Sequence, residues 1–152
     1  MLYSVLAVGD VVGESGLAHL ERHLRPLQKL KNISFTVVNG ENISATGLTR
    51  KQALRVYDAG ADAVTLGNHT FGKMEICPLL DEAHWLLRPA NLSARAPGHG
   101  CEIFDCNGVR IRVMSLIGRC GLQWNAENPF TLADRLLKSG DADFTLVDFH
   151  AE

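Results

Sequence analysis

The sequence predicts an α/β protein with a mostly parallel sheet, and three observations carry that prediction. Short apolar runs end in Gly, Asp or Asn. Longer stretches between them repeat their apolar residues at helical spacing, and the two kinds of segment alternate over the first two-thirds of the chain. Strands alternating with helices are the pattern of βαβ units. At 152 residues, with no repeat, low-complexity tract or linker, the chain reads as one domain spanning 1–152. Hydrophobic residues make up 46% and charged residues 21%, so a sizeable core can be buried and wholesale disorder is excluded.

The elements follow in order. Tyr3 to Gly9 is the first strand. Leu17, Leu20, Leu24, Leu27 and Leu30 recur at three- and four-residue steps and share one face of a helix, with Ser15 as its N-cap. Phe35 to Val38 is the second strand. Leu48 to Ala59 is the second helix, capped by Thr49 and closed by Gly60 at the C′ position. Ala63 to Leu66 is the third strand, and a shorter helix runs from Met74 to Glu82. After Pro89 the rhythm changes. Cys101 to Cys106, Asn107-Gly108 and Val109 to Leu116 make a β-hairpin, because Asn-Gly supplies the two positive φ angles of a type I′ turn. A last helix, around Thr131 to Ser139, precedes a final strand from Phe144 to Phe149. Ending on an uncovered strand looks like an interruption of the fold.

The bulk numbers exclude several functions. A net charge of −2 gives no electrostatic reason to expect nucleic acid or an anionic membrane as the main partner. No stretch approaches the ~20 apolar residues of a membrane span. The start lacks the basic segment of a signal peptide, so a cytoplasmic location is expected, with Cys77, Cys101, Cys106 and Cys120 as reduced thiols. None of the four forms a C-x-x-C pair, which gives no support for a zinc knuckle.

Chemistry gathers at strand ends. Four apolar runs finish in polar clusters: Gly9-Asp10, Asn39-Gly40-Glu41-Asn42, Gly67-Asn68-His69-Thr70 and Asp148-Phe149-His150. Ligands of open α/β sheets bind beyond the carboxyl ends of the strands, so neighbouring strands would turn all four clusters to one crevice. Asp10, Glu41, Asn42, Asn68, His69 and His150 then offer carboxylates, amide oxygens and imidazoles. That mixture suits Mn, Fe, Zn or Ni better than an all-oxygen calcium cage. Glu41 could bridge two cations, and His69 could hold a proton near neutral pH. Singly, each has a bland alternative: Asp10 as a helix cap, Glu41 and Asn42 as turn residues, His150 as a satisfied buried histidine. Four strand ends carrying ligand types together favour the metal reading. His19 and His23 have the spacing of a zinc pair, but Leu20 stands where H-E-x-x-H needs glutamate, so they read as an exposed helix face. Arg119, after a strand end, could meet phosphate or make a surface ion pair. Trp85 reads as a packing residue, and Trp124, in a polar loop, could line an entrance.

The segments V-G-D-V-V-G (8–13), V-N-G-E-N (38–42), G-L-T (47–49), G-A-D-A-V-T-L-G-N-H-T (60–70), L-R-P-A-N (87–91) and D-F-H-A-E (148–152) resemble the YmdB-like branch of the calcineurin-type metallophosphoesterases. The resemblance implies two packed mixed sheets flanked by helices and two iron or manganese ions. It also implies hydrolysis of phosphodiesters, with 2′,3′-cyclic nucleotides cleaved at the 2′ bond. Residue by residue, it makes Asp10 and Asn42 ligands of the first metal and Glu41 the bridge. Asn68 and His150 become ligands of the second, His69 the proton donor, and Arg88 and Asn91 pocket-shaping residues. Members of this family continue beyond the equivalent of Glu152 and supply a later His-x-His pair, which this chain lacks. The resemblance therefore implies a missing C-terminal part and an incomplete site. Two alternatives stay open: a non-catalytic remnant that binds metal weakly, and a metal-free nucleotide-binding module built on Gly9, Gly13 and Gly16. The second lacks the G-x-G-x-x-G spacing.

Overall fold

The computed structural model describes residues 2–122 and 125–151; Trp124 and Glu152 lie outside them. Helices and strands alternate at first: β1 (Val5–Val8), α1 (Gly13–Lys31), β2 (Phe35–Asn39), α2 (Arg50–Ala59) and β3 (Ala63–Thr65). A 3₁₀ turn (Met74–Ile76) runs into α3 (Cys77–Glu82), and β4 (Leu86–Leu87) follows. The remainder is β5 (Cys101–Cys106), β6 (Val109–Ile117), α4 (Pro129–Leu137) and β7 (Phe144–His150).

Strands β1 to β4 form one sheet in chain order, every pair parallel. Strands β5, β6 and β7 form a second sheet, antiparallel between β5 and β6 and parallel between β6 and β7. The two sheets, with helices beside them, are the architecture that the resemblance implied. The condition that all four strand ends be neighbours is met by β1, β2 and β3 but not by β7, which pairs with β6 over Ile111–Phe144 to Ile117–His150.

Burial explains the layering. Leu17, Leu20, Leu24, Ala53, Val56 and Leu80 pack the helices onto one face of the first sheet with Val38 and Val64. Its other face meets the second sheet through Phe35, Val37, Ala63, Ile111, Val113 and Leu146. Alternation along β6 then puts Met114 and Leu116 on the outer face, under Leu132 of α4.

Local expectations fare unevenly. Thr49 and Gln52 make a full capping box, Gly60 ends α2 at φ 119°, and Asn107-Gly108 turn the hairpin at φ 53° and 84°. Ser15 is not a cap, since α1 starts earlier, at Gly13, with Val12 at the N-cap and no side-chain cap bond. The Gly13 N–H instead donates to Asn42 O at 3.1 Å, so the loop after β2 does the work of a cap. Leu27 and Leu30 are 38% and 74% exposed, because the 19-residue helix outruns the four-residue strand it follows. Leu86–Leu87 pair as a strand, although in the sequence Leu87 has only a place in a motif and Leu86 none. His19 and His23 are exposed on α1, as their position off the leucine stripe implies.

Candidate metal centre

Strands β1, β2 and β3 are adjacent and parallel, so their C-terminal ends lie side by side. The loops leaving them are bound to one another through the backbone. Val11 N donates to Asn39 O at 3.0 Å and Gly40 N to Thr65 O at 3.0 Å. Thr70 closes the turn 67–70 on Gly67 O through both its N–H and its Oγ1. Two glycines allow the loops to approach this closely. A Cβ on Gly67 would fall 2.3 Å from Glu41 Oε2, and one on Gly72 would fall 2.3 Å from Thr46 O. A side chain at Gly72 would run into backbone, and one at Gly67 would displace the Glu41 carboxylate.

Two hydrogen-bonded chains occupy this end. In the first, Asn42 Nδ2 donates to Asp10 Oδ2 at 2.8 Å, and Asn42 Oδ1 lies 2.8 Å from His69 Nδ1. Asp10 as a carboxylate can only accept, which turns the Asn42 oxygen to His69 and makes Nδ1 the donor. Nε2 is then the nitrogen that gains and gives up a proton, accepting as the neutral ring and donating as the imidazolium. In the second, Glu41 Oε2 accepts the His69 N–H at 3.2 Å, and Glu41 Oε1 sits 2.8 Å from His150 Nδ1. Glu41 is 1% exposed. Burial raises its carboxyl above the usual carboxylate range; the His69 N–H and the His150 and His69 imidazoles oppose that rise, while Asp10 adds to it.

The structure therefore brings Asp10, Glu41, Asn42, His69 and His150 together, and Asn68 stands in the same 67–70 turn. His150 arrives from the second sheet, so the site spans the junction of the two sheets rather than the edge of one. A cavity of about 340 Å³ opens there, lined by Asp10, Asn39, Glu41, Thr65, Asp148 and His150. A larger one, about 670 Å³, lies at the starts of β2 and β3, beside Asp62, Phe104 and Asn107, and touches no residue of this cluster.

One observation bears on a metal directly. With Nδ1 on Glu41, His150 Nε2 is buried and meets no hydrogen-bond partner among the described residues. A buried imidazole nitrogen in that position is an unfilled donor, and carboxylate-bound imidazoles are common metal ligands. The donor set fits a borderline transition metal. It is a partial set: among the described residues no three His, Cys, Asp or Glu side chains form a ready cluster. Two of the expected donors are amides, and an amide oxygen has two lone pairs, so Asn42 Oδ1 can serve His69 and a cation at once.

Arg88 and Asn91 hold loops of the fold, and Trp85 packs as expected. Arg88, 4% exposed, donates to the carbonyls of Pro89, Ser93, Ala96 and Pro97. Asn91 holds both the N–H and the O of Ile117 and also Glu127 O, so it pins the loop to the end of β6. Trp85 stacks on Tyr57 with ring centroids 4.4 Å apart. Arg119 is exposed, next to a small cavity with Phe130 and Phe149. The sequence places Asn39 in a strand-end cluster without giving it a role, and Thr65 passes unnoticed as one polar residue inside an apolar run.

Known proteins place the fold in context. A family model described as YmdB-like protein matches residues 6–152. The 2′,3′-cyclic-nucleotide 2′-phosphodiesterase of Bacillus subtilis (strain 168) is 37% identical over 151 residues, covering 97% of this chain and 57% of that protein. A novel phosphatase from Mycoplasma pneumoniae superposes with a TM-score of 0.89 at 30% identity, over 99% of this chain and 56% of the other. A hypothetical protein from Thermus thermophilus gives 0.88 at 35% identity, over 97% and 57%. The chain thus spans somewhat more than half the length of the relatives it matches.

Proposed function

This chain belongs to the YmdB-like protein family, and on that premise we propose that it carries most of the metal site of a phosphodiesterase acting on 2′,3′-cyclic nucleotides at the 2′ bond. The observation that carries the reading is the His150–Glu41 pair, with His150 Nε2 buried and engaged by no other described residue, beside a buried carboxylate. The B. subtilis relative, named for that reaction, supplies the substrate class.

Asp10, Asn42 and Glu41 would hold one cation, and Glu41, Asn68 and His150 the second, with iron or manganese as the metal. The cations, when bound, would supply Lewis-acid activation of the attacking water and neutralise charge growing on the phosphoryl oxygens. The chain's own residues do the rest. Asn42, held by Asp10, presents Oδ1 to His69 Nδ1 and so fixes the imidazole with Nε2 outward. As the imidazolium, His69 would give its Nε2 proton to the departing ribose oxygen and be left neutral, with Nδ1–H still on Asn42. Glu41 is held on both oxygens, by the His69 N–H and by His150, which fixes its orientation before any ligand arrives.

The test is hydrolysis of 2′,3′-cyclic AMP and of bis-p-nitrophenyl phosphate with Mn²⁺ or Fe²⁺, with and without chelator. Metal-dependent release of the 3′-nucleotide supports the proposal; release of the 2′-nucleotide, or hydrolysis indifferent to chelator, overturns it. The partial donor set among the described residues favours a second reading, in which this chain binds metal weakly and does not turn over. Calorimetric Mn²⁺ binding without hydrolysis would select that one.

A further inference from the structure

Asp148 belongs to the strand-end clusters yet neither holds a cation nor moves a proton in the scheme above. Its Oδ2 accepts from Asn39 Nδ2 at 2.9 Å and from Thr65 Oγ1 at 2.5 Å. Asn39 and Thr65 are register partners on β2 and β3, and they are 7% and 0% exposed. Polar side chains buried between two sheets are costly unless paired, and here both are directed at a single oxygen from the opposite sheet. The Asn39 amide turns its other end to the active loop, since Asn39 Oδ1 accepts the Glu41 N–H at 3.2 Å. Two residues beyond Asp148, on the same face of β7, His150 Nδ1 meets Glu41 Oε1 at 2.8 Å. The bonds close a ring: Asp148 to Asn39, Asn39 to Glu41, Glu41 to His150, and back along β7.

We infer that Asp148 is a positioning residue that rivets the second sheet to the first and so sets His150 against Glu41. The apolar contacts of Val37, Ala63, Val113 and Leu146 hold the sheets together, but they are not directional. A one-residue slip of β7 would turn Leu146, Asp148 and His150 away from the first sheet together. Bonds to a carboxylate are directional and stronger than neutral ones, which makes Asp148 the element that resists that slip. Its meaning for catalysis rests on the two-metal reading; the geometry it enforces does not.

The experiment reads solvent exchange of the His150 Nδ1 proton by ¹H–¹⁵N NMR on the chelated full chain, for wild type, Asp148→Asn and Asp148→Ala. Asparagine keeps an oxygen in place to accept from both donors, so protection should persist in Asp148→Asn and vanish in Asp148→Ala. Mn²⁺ affinity, followed by calorimetry, should fall roughly 10- to 100-fold in Asp148→Ala, the usual cost of losing a partner that orients a ligand, and much less in Asp148→Asn. A folded Asp148→Ala with the proton still protected overturns the inference. If Asp148→Ala does not fold, Thr65→Val decides, since it removes one donor at nearly constant volume: faster exchange supports the rivet, unchanged exchange overturns it. Wild type that binds no Mn²⁺ counts against the two-metal reading, and the exchange measurement still judges Asp148.

Discussion

A carboxylate as buried as Glu41 opposes folding unless something repays its lost hydration, and the His69 N–H and the His150 imidazole repay part of it. Its raised pKa has a signed consequence. The folded state binds the Glu41 proton more tightly than the unfolded state, so this contribution to stability is present at low pH and declines as pH rises above the ordinary glutamate range. In chelator, the stability of Glu41→Gln relative to wild type should therefore increase between about pH 4 and neutrality, read from urea midpoints across that range. Parallel pH profiles would show that burial of the charge is immaterial. The same substitution should abolish metal binding, since a neutral amide cannot bridge two cations. For His69→Ala, removal of a general acid predicts a loss of roughly 10²- to 10⁴-fold in kcat on a cyclic nucleotide. The loss should be much smaller on bis-p-nitrophenyl phosphate, whose leaving group needs no proton. Equal losses on both substrates would remove His69 from the acid role.

At the level of elements, the site depends on loops that fit backbone against backbone. Gly67→Ala would push a methyl group into the Glu41 carboxylate, where a Cβ comes within 2.3 Å of Oε2. The expected result is loss of metal binding in a protein whose circular dichroism is unchanged, with calorimetry as the check. Helix α2 shows how far local chemistry reaches. The Thr49–Gln52 box was legible because capping needs only neighbouring residues, and Thr49→Ala should cost about 1 kcal/mol in denaturant unfolding. Helix α1 shows the limit of the same reasoning. Ser15 has the chemistry of a cap, but the Asn42 carbonyl reaches Gly13 first, across a sequence distance that no local rule spans. Strand β4 escaped notice for a related reason: its two residues are held in the sheet by β3, not by any pattern of their own.

For the whole molecule, two sheets meeting at one end bring residues far apart in the chain into a single site. Ligand binding to such a site is also stabilisation. Mn²⁺ at about 100 times its dissociation constant should raise unfolding stability by about 2.7 kcal/mol in wild type, and by close to nothing in a His150→Ala variant, as measured by thermal unfolding with and without metal. A melting temperature in wild type indifferent to Mn²⁺ would disprove the metal site. By itself the sequence determined the α/β class, most element positions, the hairpin turn and the residue types from which a site could be made. Those features depend on local periodicity, turn chemistry and short motifs, which a single chain displays in full. Only the tertiary structure decided that β7 lies in the second sheet, that His150 faces Glu41 through Nδ1, and that Asn39, Thr65 and Asp148 form a polar clamp between the sheets. Sheet partnership is a choice among surfaces of similar apolarity, settled by packing and by directional bonds between residues more than eighty positions apart, and no local pattern encodes it.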